Sequence, residues 1–145
     1  MSLRYPKADI LLVEDSSADV LLVRLAVKQA RWVECLHVVE DGERAIDFLR
    51  RRGPHFDAPR PHLILLDLNL PRKDGFEVLA DIKADPSLCM IPVVVLTTSG
   101  AERDIARAYG LHANCFIIKQ PDFKAFQESF LVLEEFWFEV ARLAS

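Results

Sequence analysis

The sequence predicts an α/β fold: a doubly wound, five-stranded parallel sheet with strand order 2-1-3-4-5. Three observations carry that expectation. Five short apolar stretches recur along the chain, and the first, Ile10-Leu11-Leu12-Val13, is an unbroken run of the kind that suits a strand buried on both faces of a parallel sheet. Between them lie segments whose apolar residues repeat at helical spacing. The chain also has the means for one full core without disulfides, since 51% of its 145 residues are apolar and 28% charged, and no repeat or linker divides it. A single domain over residues 1–145 with right-handed crossovers is expected.

Ile10-Leu11-Leu12-Val13 makes the first strand, which stops at Glu14-Asp15. Ser16 or Ser17 can cap the first helix, where Val20, Leu21, Val23, Leu25 and Val27 repeat at helical spacing up to Arg31. The second strand, Cys35 to Val39, closes at Asp41-Gly42. Ala45, Ile46, Phe48 and Leu49 then form a helix face that ends in Arg50-Arg51-Arg52 and Gly53. Pro54 to Pro61 holds three prolines in eight residues and is expected to be an exposed connection with no regular element. Leu63 to Leu66 runs into Asp67. After Asn69, Pro71 and an Asp74-Gly75 turn, Phe76, Val78, Leu79 and Ile82 form the third helix. Val93 to Leu96 ends in Thr97-Thr98-Ser99-Gly100, and the helix that follows through Tyr109 is the least apolar, hence the least firmly held. Cys115 to Ile118 ends in Lys119, and a long last helix spans about Asp122 to Leu143.

Eighteen basic residues against 22 acidic ones leave a formal charge of −4, which argues against salt-driven binding of nucleic acid, a local Arg50-Arg51-Arg52 patch notwithstanding. Cys35, Cys89 and Cys115 lack C-x-x-C spacing and are expected to be small core residues in a reducing compartment. His37, His55, His62 and His112 show no metal-cluster spacing and are expected at the surface or in loops. Residues 1–9 hold no apolar signal region, and no stretch approaches the roughly 18 apolar residues of a membrane span. A cytoplasmic protein without membrane contact is expected.

In open α/β sheets, ligands bind at the carboxyl ends of the strands near the point where strand order reverses. That rule alone selects Glu14, Asp15, Asp67, Thr97 and Lys119. Three converging carboxylates repel one another by several kcal/mol unless a cation neutralises them. An all-oxygen donor set favours Mg2+ over zinc, with Mn2+ able to substitute. Lys119 and the Thr97 hydroxyl can then hold two oxygens of a phosphoryl group on Asp67.

Taken together, Glu14-Asp15, Asp67-Leu68-Asn69-Leu70-Pro71 with Asp74-Gly75, Thr97 and Lys119 resemble the receiver domain of two-component response regulators, a flavodoxin-like fold, over residues 8 to about 135. The resemblance implies that Asp67 accepts a phosphoryl group from a histidine kinase, with magnesium-dependent phosphotransfer and autodephosphorylation intrinsic to a signalling domain that is not an enzyme. It implies Asp15 and Asp67 as direct magnesium ligands, Glu14 acting through water, and the backbone carbonyl of Asn69 completing the set. It implies a switch in which Thr97 moves toward the phosphoryl oxygen and Phe116 swings into the space released. Asn69, Thr98 and Ser99 sit where they could tune access of the hydrolytic water.

Two positions depart from the family pattern. Gln120 follows Lys119 where a cis-bonded proline is usual, with Pro121 one place later, which puts the reach of Lys119 in question; Leu70 replaces a common methionine. The chain resembles a single-domain regulator, so its output is expected through protein contacts. On the last helix Phe123, Phe126, Phe130, Leu133, Trp137 and Val140 should face the sheet. Val132, Phe136 and Leu143 lie nearly opposite, with Leu131 and Phe138 on a flank, and this second apolar face is expected to form a homodimer or dock a partner. The Pro-rich loop, the D-L-N-L-P-R-K-D-G run and the aromatic tail resemble the small regulators paired with bacterial phytochrome histidine kinases. Two other readings compete: an aspartyl-nucleophile phosphohydrolase, which would normally carry D-x-D after the first strand, and a binding-only pseudo-receiver.

Overall fold

A computed structural model describes residues 8–29, 33–98, 100–120 and 122–140. Five strands, β1 (Ala8–Val13), β2 (Val33–Val39), β3 (Leu63–Leu66), β4 (Val93–Thr97) and β5 (Cys115–Ile118), alternate with α1 (Ser17–Lys28), α2 (Gly42–Arg50), α3 (Gly75–Ala84), α4 (Glu102–Gly110) and α5 (Phe123–Glu134). The sheet is parallel throughout, in the expected order β2-β1-β3-β4-β5. Alternating side chains split the core into two layers. Leu11, Val13, Ile64, Leu66, Val93 and Val95 pack with residues of α2 and α3 and with Ala108 of α4, while Ile10, Leu12, Leu63, Leu65, Val94 and Leu96 pack with residues of α1 and α5.

Side chains placed at the helix starts satisfy N–H groups that no helical carbonyl can reach. Ser16 Oγ accepts from Asp19 N–H at 3.3 Å and Asp41 Oδ1 from Arg44 N–H at 2.8 Å. Asp74 and Glu77 form a reciprocal capping box at α3, and Asp122 caps α5. Helix α4 begins at Ala101 without a side-chain cap and buries only Ala108 among its residues, so it is the least anchored of the helices, as its sequence predicts.

Several expectations need correction. Helix α1 ends at Lys28 rather than Arg31, and its Leu21 and Leu25 are exposed, because the buried stripe runs through Val23 and Ala26 instead. The loop after α2 is not wholly irregular: Gly53–His55 forms a 3-10 turn started by Pro54, whose fixed φ suits a first helical position, and Ala58 is buried. The last helix changes at Glu135 to a π-helical stretch, Glu135–Val140; residues 141–143 of the expected span, Leu143 included, lie outside the described residues. Phe126, Phe130 and Leu133 are buried as expected, but Phe123 is 37% exposed, since the sheet it faces ends at the short, half-buried β5. Cys35 is exposed rather than in the core, because β2 is an edge strand, and Cys89 and Cys115 are half-buried. His37 lies within β2 and is half-buried, not a loop residue. Among the described residues no helix is long and apolar enough to cross a membrane.

Candidate functional site

Ladder hydrogen bonds that continue one residue past the strands deliver the site. Glu14 N–H donates to Val39 O at 3.0 Å, Asp67 N–H to Val13 O at 3.1 Å, and Lys119 N–H to Thr97 O at 2.7 Å. Residues following β1, β3 and β5 are thus fixed at one edge of the sheet beside Thr97, the last residue of β4. Close approach of α3 completes the floor. Gly75 N–H donates to Leu68 O at 3.0 Å, and a Cβ at Gly75 would lie 2.3 Å from Asp67 O, so only glycine lets this helix start so near the acid.

Carboxylate oxygens of Glu14, Asp15 and Asp67 lie within 4.8 Å of one another, with Glu14 and Asp67 buried and Asp15 exposed. The Lys119 ammonium donates to Glu14 Oε1 and, at 2.7 Å, to Asp19 Oδ2; its nitrogen is 3.8 Å from Asp67 Oδ2. Three carboxylates, Glu14, Asp19 and Asp67, therefore surround one ammonium, Asp15 lies beside two of them, and the pocket carries excess negative charge. Burial, reinforced by the charge of Asp67 and opposed by the Lys119 hydrogen bond, raises the Glu14 pKa from 4.5 to about 7. For Lys119, burial favours the neutral amine, but the hydrogen bonds to Asp19 and Glu14 outweigh it and hold the pKa above the ordinary lysine value.

Thr97 is fully buried, and its Oγ1 has no hydrogen-bond partner among the described residues. A buried hydroxyl left without a partner is destabilising. Asn69 is exposed two residues beyond Asp67, and Thr98 is exposed beside Thr97; Ser99 and Pro121 lie outside the described residues. Phe116 is half-buried against the α2–α4 layer, and its N–H donates to Tyr109 Oη of α4 at 3.2 Å. Among the described residues no peptide bond is cis, so the Lys119-Gln120 bond is trans, and the lysine still reaches the acids.

Asp19 is the site residue the sequence reading missed. It lies on the first turn of α1, three residues after the N-cap Ser16. An acid in the first turn of a helix reads from sequence as a response to the helix dipole, and the partner that makes it matter, Lys119, is 100 residues away.

A five-stranded 2-1-3-4-5 sheet with three acids, a buried threonine and a lysine at its carboxyl edge defines a class, and the chain belongs to the response regulator receiver domain family, which matches residues 10–130. Within that family it is similar to response regulator Rcp1 of Synechocystis sp., with 48% identity over 138 residues, 95% of this chain and 94% of Rcp1. The crystal structure of the phosphorylated cyanobacterial phytochrome response regulator RcpA superposes with a TM-score of 0.92 at 47% identity, over 96% of this chain and 99% of RcpA. The Mn(2+)-bound form of Rcp1 superposes with a TM-score of 0.89 at 47% identity, over 95% of this chain and 99% of that one.

Proposed function

We propose that this response regulator receives a phosphoryl group on Asp67 from the phosphohistidine of a sensor histidine kinase. The observation that carries the reading is a buried Asp67 carboxylate with a lysine ammonium 3.8 Å away on one side and the unpartnered hydroxyl of Thr97 at the end of the adjoining strand. In the transfer, a carboxylate oxygen of Asp67 forms the new bond to phosphorus as the P–N bond of phosphohistidine breaks, leaving the electron pair on the imidazole. Lys119 offsets charge on one transferring oxygen, and Thr97 donates its hydroxyl proton to another. Water later hydrolyses the acyl phosphate, with Asn69, Thr98 and Ser99 governing its approach.

The donor set fits a hard divalent cation: oxygen ligands only, closely spaced, and too negative to be left uncompensated. Asp15 and Asp67 would hold Mg2+ directly, Glu14 through water, and Asn69 through its backbone carbonyl, with Mn2+ able to take its place. Bound there, the ion supplies charge neutralisation for the phosphoryl oxygens. Likeness to the phytochrome regulator RcpA favours a bacteriophytochrome-type kinase as donor. Output runs through a change coupled from Thr97 to Phe116 and through a homodimer on the outer face of α5 and its π-helical continuation, where Leu131, Val132 and Phe136 are exposed. The protein acts in the cytoplasm.

Incubating the protein with a phytochrome-class kinase, or with acetyl phosphate, in Mg2+ tests this. One acyl phosphate per chain is expected, and none in Asp67→Asn. A pseudo-receiver would take up no label, and a phosphohydrolase would release phosphate over many turnovers; either result overturns the proposal.

A further inference from the structure

The acidic pocket occupies one end of the sheet, and a second group of metal-ligating side chains lies at the other. Parallel register sets Asp9 of β1 beside Cys35 of β2, and Leu11 beside His37. Alternate residues share a face, so Asp9, Cys35 and His37 stand together on the face that Leu11 packs, the one covered by α2. His37 Nε2 is 3.0 Å from Asp9 Oδ1, and one ligand atom from each of Asp9, Cys35 and His37 lies within 4.8 Å of the other two. Two of the three are held in place. The His37 ring packs on Phe48 of α2 with centroids 5.4 Å apart, and Asp9 is clamped to the start of β3 by its N–H on His62 Nδ1 at 3.0 Å and by His62 N–H on its carbonyl at 2.8 Å. Cys35 is exposed.

We propose that Asp9, Cys35 and His37 form a second metal site, distinct from the phosphorylation pocket, that takes a zinc-class cation. One thiolate, one imidazole and one carboxylate make a borderline-soft donor set that Zn2+ accepts and Mg2+ does not. Three protein donors leave the fourth tetrahedral position to water. Bonds of about 2.0–2.3 Å bring such donors roughly 3.3–3.8 Å apart, so closure draws together ligand atoms that already lie within 4.8 Å of one another. On binding, the thiol proton passes to solvent, and the imidazole presents the Nε2 lone pair by carrying its proton on Nδ1. The metal then ties β1 to the edge strand β2 at the end of the sheet remote from Asp67.

Cobalt is the probe, added to the reduced protein in excess Mg2+ so that the all-oxygen pocket does not compete. A thiolate-to-cobalt charge-transfer band should saturate at one equivalent and disappear when Zn2+ is added. It should be absent in Cys35→Ser and unchanged in Asp67→Asn, and cobalt should bind at least tenfold more weakly to His37→Gln and to Asp9→Asn. Uptake of phosphate by Cys35→Ser at the wild-type level verifies that this variant folds. The proposal is overturned if wild type gives no such band, if the band survives in Cys35→Ser through Cys89 or Cys115, if it vanishes in Asp67→Asn, or if His37→Gln binds as tightly as wild type.

Discussion

Replacing Glu14 by Gln should stabilise the ion-free protein at neutral and alkaline pH, although the substitution breaks a buried ion pair. Glu14 is 2% exposed, and burial is the largest cause of its raised pKa, about 7 against 4.5. Between those values the folded state holds a proton that the unfolded chain has released, so stability falls as pH rises through this window and stays low above it. At about 1.4 kcal/mol per pH unit the loss reaches roughly 3 kcal/mol. Lys119, with its pKa held high, stays charged across the whole interval and contributes no slope there. Gln keeps the shape of Glu14, its single carbonyl oxygen can still accept from Lys119, and removing the charge relieves the penalty at the cost of the Ser16 N–H bond to the second oxygen. Urea unfolding in a chelator should show Glu14→Gln gaining about 2–3 kcal/mol near pH 8 and almost nothing near pH 4.5. Saturating Mg2+ should reverse the order, because an ion that binds only the folded state stabilises wild type more. A variant less stable than wild type at pH 8 without metal, or a difference indifferent to pH, would refute the reasoning.

Other positions give sharper local tests. Thr97→Val removes the unpartnered hydroxyl at nearly constant volume and should stabilise the unphosphorylated protein by about 1 kcal/mol, while abolishing the phosphorylation-dependent shift of the Phe116 ring in NMR spectra. Gly75→Ala would set a Cβ 2.3 Å from Asp67 O and 2.5 Å from Leu68 Cα, backbone atoms that cannot yield, and should cost about 3 kcal/mol in chemical unfolding. Gly110→Ala, with nothing within 4 Å, should be neutral or gain up to about 1 kcal/mol in the same assay. Phe136→Glu should convert a dimer to a monomer in sedimentation; a wild type that is monomeric at every concentration, phosphorylated or not, would remove α5 as a dimer face.

The central strands were readable because burial on both faces of a parallel sheet requires unbroken apolar runs, as in β1, β3 and β4, and the edge strands β2 and β5 still carry short apolar stretches. Their polar ends were readable for the same reason: Glu14, Asp67 and Lys119 each lie one residue past a strand, so finding the strand places the side chain. What escaped was set by contacts distant in sequence. Asp19 matters only because Lys119 reaches it, and Cys35 looked like a core residue because its apolar neighbours do not reveal that β2 is an edge. The cluster of Asp9, Cys35 and His37 depends on the β1–β2 register, which spacing along one strand cannot show. The π-helical continuation of α5 falls in the aromatic run Phe136-Trp137, whose rings meet edge to face 5.2 Å apart, and no capping or breaking residue announces it.

Locating the phosphoryl group tests the central claim most directly. After labelling with and without Mg2+, the acyl phosphate is trapped by borohydride reduction and its position mapped by peptide mass spectrometry. A single modified aspartate at Asp67, formed only with the divalent ion, is the result the geometry predicts. Modification at Asp15 or Asp19 in the wild-type protein, or equal labelling of Asp67 without any divalent ion, would contradict it.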